Sequence, residues 1–282
     1  MPGIAIANNA VGPAQTGWLY KRDTWLEAFV IFNFACLTGD IVLAHGSNHF
    51  RNEAEYIPLF FSPIASVFLF AAFLLRLRFN WGRAWKCLGY FIGWFSILVG
   101  AAGVLYHLDS HFFYERTLKS LTYTAPFAAP LAYMGLGCLA LMNRMISHQT
   151  REWSQWVLFF AAGGFAGNFV LSLADHATNG FFHWTEWIPV VSSALAVGFL
   201  LAPLLSDMAP GFRRLCTYVL LLQVLVGALG FVLHFWADLH GPAGRLVDNL
   251  LSGAPPFAPL LLPNLSLLAL IALQAQSEPS SA

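Results

Sequence analysis

Charged side chains are scarce in this chain. Asp, Glu, Lys and Arg together make up 10% of its 282 residues, whereas 58% of the residues are hydrophobic and 16% are aromatic. Soluble domains carry about 25% charged residues. The composition therefore excludes a soluble globular protein and predicts an integral membrane protein.

Cysteine is also scarce, and several metal-binding motifs are missing. The chain has 4 cysteines and no CxxC pair, which argues against both a disulfide framework and a thiolate metal site. It lacks the HxxHH boxes of membrane desaturases, the HExxH motif of membrane zinc proteases and the thiolate motif of heavy-metal pumps. None of these three classes is indicated.

Long hydrophobic runs fill most of the sequence. A bilayer core about 30 Å thick needs roughly 20 apolar residues per helix, and eight such runs follow one another. The predicted fold is therefore all-α, a polytopic membrane protein with eight transmembrane helices. The first run lacks a small-residue cleavage site, so we expect it to stay as an anchor. The runs lie near residues 25–45, 57–77, 88–108, 121–142, 155–175, 187–206, 215–237 and 255–275.

Positive charge is uneven between the two sides of this topology. Ten of the 14 Lys and Arg residues fall on one side. Because Lys and Arg are retained on the cytoplasmic face, we expect both termini in the cytoplasm and, in a bacterium, an inner-membrane location. The ten are Lys21, Arg22, Arg76, Arg78, Arg83, Lys86, Arg144, Arg151, Arg213 and Arg214, and the other four are Arg51, Arg116, Lys119 and Arg245.

The two halves of the sequence share four short blocks. LVGAAGVLYH at 98–107 recurs as LVGALGFVLH at 225–234, and APFAAPL at 125–131 recurs as APPFAPL at 254–260. The remaining matches are TGD at 38–40 with AGN at 166–168, and EYIP at 55–58 with EWIP at 186–189. All four offsets fall between 127 and 131 residues, which predicts a duplicated four-helix unit.

This duplication divides the chain. The two copies should have the same orientation and be related by an axis along the membrane normal. The predicted segments are an N-terminal cytoplasmic segment at 1–24, a first four-helix repeat at 25–147, a second repeat at 148–275 and a C-terminal tail at 276–282.

Prolines mark the start of each even-numbered run, at Pro58, Pro126, Pro189 and Pro255. Proline removes a backbone donor and breaks or kinks a helix. Such breaks survive at membrane depth only where neighbours or water satisfy the freed groups. The pattern predicts a cavity in the outer leaflet.

Eight of the nine histidines follow these apolar runs at one end of the predicted bundle. His45 and His49, His107 and His111, and His234 and Asp238 are each four residues apart, a spacing that puts two side chains on one helical face. Two imidazoles on one face can bind one divalent metal, with further ligands from a neighbouring helix. The predicted metal ligands are His45, His49, His107, His111, His234, Asp238, His176, Asp175 and His240.

A metal site of this kind favours an enzyme. Glu55 and Glu186 occupy matching positions in the two repeats, and with Asp109 they are the predicted general acids or bases. The expected cofactor is a divalent transition metal, zinc, copper or iron, that activates water or dioxygen. The expected substrate is a small or lipophilic molecule that reaches the site from the outer, periplasmic leaflet.

Other functions remain open at this point. A redox subunit could bind haem or quinone, with His107 and His234 facing each other as axial ligands. The chain could also be a metal-handling transporter, or a structural subunit of a larger membrane complex. The lipid bilayer is the expected partner in every case, and no feature of the sequence indicates nucleic-acid binding.

Overall fold

The computed structural model describes residues 22–79 and 81–275, and this part of the chain is all-helical. Within these residues, three 3₁₀ turns, at Glu53–Glu55, Trp184–Glu186 and Ala258–Leu260, precede α2, α8 and α11. Most of the predicted N-terminal segment, including Lys21, and the tail at 276–282 lie outside the described residues. The α-helices are α1 (Arg22–Gly46), α2 (Tyr56–Phe79), α3 (Gly82–Asp109), α4 (Phe112–Glu115), α5 (Leu118–Tyr123), α6 (Leu131–Met145), α7 (Arg151–Thr178), α8 (Trp187–Leu205), α9 (Pro210–Leu239), α10 (Leu246–Ser252) and α11 (Leu261–Ala275).

Seven helical segments of the described chain are long and apolar enough to cross a membrane, which supports an integral membrane protein. The prediction of eight spans is not confirmed. The one long helix in the fourth segment is α6, whose 15 residues extend about 22 Å at about 1.5 Å per residue, less than the bilayer core of about 30 Å. The seven are Arg22–Gly46, Glu53–Phe79, Gly82–Asp109, Arg151–Thr178, Trp184–Leu205, Pro210–Leu239 and Ala258–Ala275.

The long helices pack as two sets of four. In the first set α1 contacts α2 and α6, and α3 contacts α2 and α6. In the second set α7 contacts α8 and α11, and α9 contacts α8 and α11. The sets meet where α1 packs on α11 and α6 packs on α7. At the first of these contacts the side-chain amides of Asn33 and Asn264 hydrogen-bond each other.

Glycines bring the last helix of each set close to its neighbour. A Cβ atom on Gly100 of α3 would lie 2.9 Å from the carbonyl oxygen of Pro130, and one on Gly227 of α9 would lie 2.7 Å from that of Pro259. Backbone atoms cannot yield at such distances, so only glycine fits. The loops that carry these prolines are consequently held against α3 and α9.

The bundle has two unlike ends. We call the end where α1, α3, α7 and α9 terminate the histidine end, and the opposite one the arginine end. The two sets share this orientation. α10, which follows the end of α9 in the second set, contacts α1 of the first set, and α5, which follows the end of α3 in the first set, contacts α7 of the second. No residue after Phe34 in α1, Gly100 in α3 or Asn168 in α7 is buried. These helices are therefore tightly packed towards the arginine end and open towards the histidine end.

Candidate functional site at the histidine end

Three side chains from separate elements form what we call the first cluster: His45, Glu55 and His107. His45 and His107, in the last turns of α1 and α3, have ring centres 6.2 Å apart and meet edge to face. Oε2 of Glu55 lies 3.3 Å from Nδ1 of His45, an ion-pair distance. The two histidines are 62 residues apart in the chain, so the fold alone brings them together.

Glu55 is held in place by a capping box. Its Oε1 accepts the backbone N–H of Asn52 at 3.4 Å and the side-chain amide of Asn48 at 3.3 Å. Its Oε2 faces His45 and is buried without a hydrogen-bond partner among the described residues. One oxygen therefore anchors the turn, and the other remains for the imidazole.

His176, Glu186 and His234, which we call the second cluster, repeat this arrangement. The ring centres of His176 in α7 and His234 in α9 are 6.4 Å apart and also meet edge to face. Oε2 of Glu186 lies 3.6 Å from Nδ1 of His176 and has no hydrogen-bond partner among the described residues. Its Oε1 accepts the backbone N–H of His183 at 3.2 Å.

The ring of one histidine in each cluster is held by a backbone carbonyl. Nδ1 of His107 lies 2.9 Å from the carbonyl oxygen of Pro126, and Nδ1 of His234 lies 2.9 Å from that of Pro255. A carbonyl oxygen only accepts hydrogen bonds, so each ring must carry a proton on Nδ1. In the neutral imidazole, Nε2 is then a free lone pair that can accept a proton or bind a metal.

A phenylalanine supports the other histidine of each cluster. The ring of Phe50 lies 6.0 Å from that of His45, and the ring of Phe181 lies 6.2 Å from that of His176. Both phenylalanines have a left-handed backbone, with φ of 50° and 52°, which is unusual for a bulky residue and typical of functional sites. The sequence analysis missed them, although they share the 131-residue offset of Glu55 and Glu186.

The two clusters differ in nearby carboxylates. Asp175 and Asp238 both lie close enough to His234 to interact with its charge. The matching positions of the first half hold Ala44 and His111. Asp238 is 2% exposed, and its Oδ2 has no hydrogen-bond partner among the described residues. The second cluster is therefore the more acidic one.

Several predicted site residues lie elsewhere. His49 follows the end of α1 in a turn with φ of 60°, and His111 precedes α4 beyond the end of α3, so the prediction that each shares a helical face with the preceding histidine was wrong. His240 caps α9 and hydrogen-bonds the carbonyl of Trp236. Asp109 is exposed at the last residue of α3 and makes no hydrogen bond or ion pair with a described residue.

The expected pairing of His107 with His234 is also replaced by a different one. Each of these rings meets a histidine of its own four-helix set, His45 or His176. The reason is the packing: α3 and α9 belong to separate sets, and the sets meet through α1, α6, α7 and α11. Of the i and i+4 pairs, only His234 and Asp238 lie on one helix, α9.

The described residues contain no group of three or more His, Cys, Asp or Glu side chains arranged to hold a metal ion. Each cluster offers two imidazoles, and its glutamate faces one of them. The chain matches no known protein family, no curated protein and no solved structure. The chemistry of these side chains is therefore the basis for assigning a function.

A buried polar network at the arginine end was not foreseen from the sequence. Glu27 of α1 and Arg144 of α6 form a bidentate ion pair at 2.6 and 3.0 Å, and both side chains are fully buried. Asn143 donates to the same carboxylate at 3.1 Å, and the Arg144 guanidinium lies 4.4 Å from the ring of Trp85. The available signal was an acid inside the first hydrophobic run.

Proposed function

We propose that the protein is an integral membrane metalloprotein in which each histidine cluster binds one divalent transition metal, zinc, copper or iron. We further propose that it is an enzyme acting on a small or lipophilic molecule at the outer leaflet. The observation that carries the proposal is the engagement of Nδ1 in His107 and His234 by backbone carbonyls. Metal-binding histidines almost always donate their other ring N–H to a carbonyl or a carboxylate.

The partner imidazole in each cluster has the matching environment. Nδ1 of His45 faces Glu55, and Nδ1 of His176 faces Glu186. A carboxylate in that position orients a metal-binding ring and raises its basicity. Each cluster thus combines a carbonyl-held ring with a carboxylate-held ring, and both rings have Nε2 available.

The spacing of the rings is close to that of a shared metal. Two imidazoles that bind one tetrahedral zinc ion have ring centres about 5 Å apart, since each zinc–nitrogen bond is about 2.1 Å long. The observed separations of 6.2 and 6.4 Å differ from this by an amount that side-chain rotation covers. In the second cluster Asp175 and Asp238, both near His234, are the candidate additional ligands.

Glu55 and Glu186 serve as the proton carriers of the proposed enzyme. Each has a buried oxygen that faces an imidazole and accepts no hydrogen bond from a described residue. When Nε2 takes up a proton, the carboxylate that faces Nδ1 on the other side of the ring can therefore accept the Nδ1 proton or neutralise the positive charge. A bound metal would supply Lewis acidity and lower the pKa of water to about 7.

The location of the sites follows from the two ends of the bundle. Arg76, Arg144, Arg151 and Arg213 lie at the arginine end, which by the distribution of positive charge is the cytoplasmic one. The histidine end then faces the periplasm or the cell exterior, with both termini inside. The open packing after Phe34, Gly100 and Asn168 provides a route for a substrate from the outer leaflet.

We also propose that the two sets of helices are a tandem repeat, with α6 and the loop before it as the eighth crossing. The supporting observations are the paired contacts of the clusters. His45 with Glu55 and His176 with Glu186 are related by 131 residues in both members. The carbonyl contacts of His107 and His234 are related by offsets of 127 and 129.

Elemental analysis of detergent-purified protein, combined with a visible spectrum, tests the function. We expect two metal ions per chain, loss of one in a His45→Ala, His107→Ala variant, and loss of the other in a His176→Ala, His234→Ala variant. His49→Ala is the matched control, because His49 is an exposed histidine at the same end. Protein without stoichiometric metal would contradict the proposal, and a haem absorption band would replace it with the redox-subunit alternative.

A further inference from the structure

A side chain anchors the loop that holds the His107 ring. Oγ of Ser110 accepts the backbone N–H of Ala125 at 2.9 Å, one residue before Pro126. The Thr124 hydroxyl lies 2.8 Å from Oγ of Ser110 and donates to the carbonyl of His107 at 2.6 Å. The end of α3 and the loop are thus joined by hydrogen bonds at the two residues just before Pro126.

In the second half of the chain, a different residue contacts the loop that holds the His234 ring. The Asp238 carboxylate lies beside the backbone amide of Ala254, one residue before Pro255. Ala237 stands at the position of Ser110, so the polar side chain that reaches the loop has moved by one residue along α9. A Cβ atom on Gly253 would lie 2.3 Å from Oδ1 of Asp238. The carboxylate therefore fills the space that a side chain at position 253, the counterpart of Thr124, would need.

We propose that Ser110 and Asp238 are positioning residues that set the tautomers of His107 and His234. By fixing the amide just before each proline, they fix the direction of the proline carbonyl. That carbonyl accepts only from a protonated Nδ1, and the hydrogen bond at one ring nitrogen decides which nitrogen is protonated. Nε2 is therefore kept as an unprotonated lone pair.

The fixed tautomers matter for metal binding only if the proposed function holds, since a metal binds an unprotonated Nε2. The tautomer itself is a property of the metal-free protein. It is measured there without any assumption about metal binding, so the two proposals fail separately. Expected tautomers in a protein that binds no metal would overturn the metal function alone.

The test is nitrogen NMR of the metal-free, detergent-solubilised full chain with ¹⁵N-labelled histidine, at a pH where the imidazoles are neutral. In the unmodified protein we expect His107 and His234 to show a protonated Nδ1 and an unprotonated Nε2. Ser110→Ala should convert His107 to a mixture of tautomers and leave His234 unchanged. Asp238→Ala should do the reverse, so each variant carries an internal control for folding in the other cluster.

The conservative variant Asp238→Asn separates positioning from charge and from loss of folding. Its side-chain oxygen remains a hydrogen-bond acceptor beside the Ala254 amide, so His234 should keep its Nδ1 proton although the negative charge is gone. The proposal is overturned if Ser110→Ala and Asp238→Ala leave both tautomers unchanged. It is equally overturned if Asp238→Asn disturbs His234 as strongly as Asp238→Ala, or if either alanine variant alters both histidines together.

Discussion

At the residue scale, oxygen acceptors decide what these histidines can do. A lone neutral histidine near a membrane surface can adopt either of two tautomers, since either ring nitrogen can carry the proton. Here the carbonyls of Pro126 and Pro255 settle that choice for His107 and His234. Glu55 and Glu186 face Nδ1 of the partner rings. The result is a pair of imidazoles with free Nε2 atoms in each four-helix set.

The charge of Glu55 should control the first cluster alone. Glu55→Gln keeps an oxygen for the capping box and removes the negative charge beside His45. We expect metal affinity at the first cluster to fall about 10- to 100-fold, because the imidazole loses its carboxylate partner, while the second cluster is unaffected. Competition with a metal chelator measures both affinities.

Glu53→Gln is the matched control for this prediction, since Glu53 is an exposed acid in the same 3₁₀ turn. Its replacement should leave both affinities within experimental error. Equal losses in the two glutamate variants would mean that the general negative potential of the turn, and not the contact with His45, supports metal binding.

At the element scale, helix ends determine the sites. α1 ends at Gly46 and leads into a turn, which removes His49 from the face of His45. The segment before α6 is interrupted between Tyr123 and Leu131, where Pro126 and Pro130 lie. This interruption shortens α6, and it also exposes the Pro126 carbonyl to the ring of His107. The feature that makes the fourth segment short thus completes the first cluster.

Breaking the ion pair between α1 and α6 should destabilise the first set. In Glu27→Gln the Arg144 guanidinium would remain buried without its counter-charge, so we expect a loss of about 3–5 kcal/mol in the free energy of unfolding. Unfolding in mixed micelles with increasing SDS gives this value. Asp207→Asn, in the exposed pair with Arg151, should cost less than about 1 kcal/mol. Similar small losses in both variants would show that the buried pair adds no net stability.

At the scale of the whole molecule, two similar sets of helices place two clusters at one end of the bundle. The two sets meet through α1 with α11 and through α6 with α7. All residues of each cluster therefore come from one set. The clusters are not identical, because the second contains Asp175 and Asp238 close to His234. A harder, more oxygen-rich environment favours different metals from a nitrogen-rich one, so under the proposed function we expect the two clusters to differ in metal preference.

The proposed orientation makes a prediction for intact cells. In a variant without native cysteines, Lys119→Cys at the histidine end should react with a membrane-impermeant thiol reagent. Arg83→Cys at the arginine end should react only after the membrane is opened. Both side chains are exposed, so accessibility across the membrane is the only difference between them. The reverse pattern would place the histidine end in the cytoplasm.

The sequence predicted the coarse architecture better than the site. Apolar runs of about 20 residues predict helices in any bilayer, and seven of the eight proved long enough to span. The matching positions of Glu55 and Glu186 were visible in the EYIP and EWIP blocks, and each glutamate faces a histidine of its own half. The HxxxH spacing was misleading, since it assumed helices that continue through His49 and His111. Where a helix ends depends on turns and loop contacts that spacing does not contain.

The sequence by itself determined that this is a helical membrane protein with eight of its nine histidines at one end, because hydrophobicity and helix length act locally along the chain. The tertiary structure decided which histidines meet, since His45 with His107 and His176 with His234 depend on how distant helices pack. It also decided the tautomers of His107 and His234, because the carbonyls that fix them lie on loops 19 and 21 residues further along the chain.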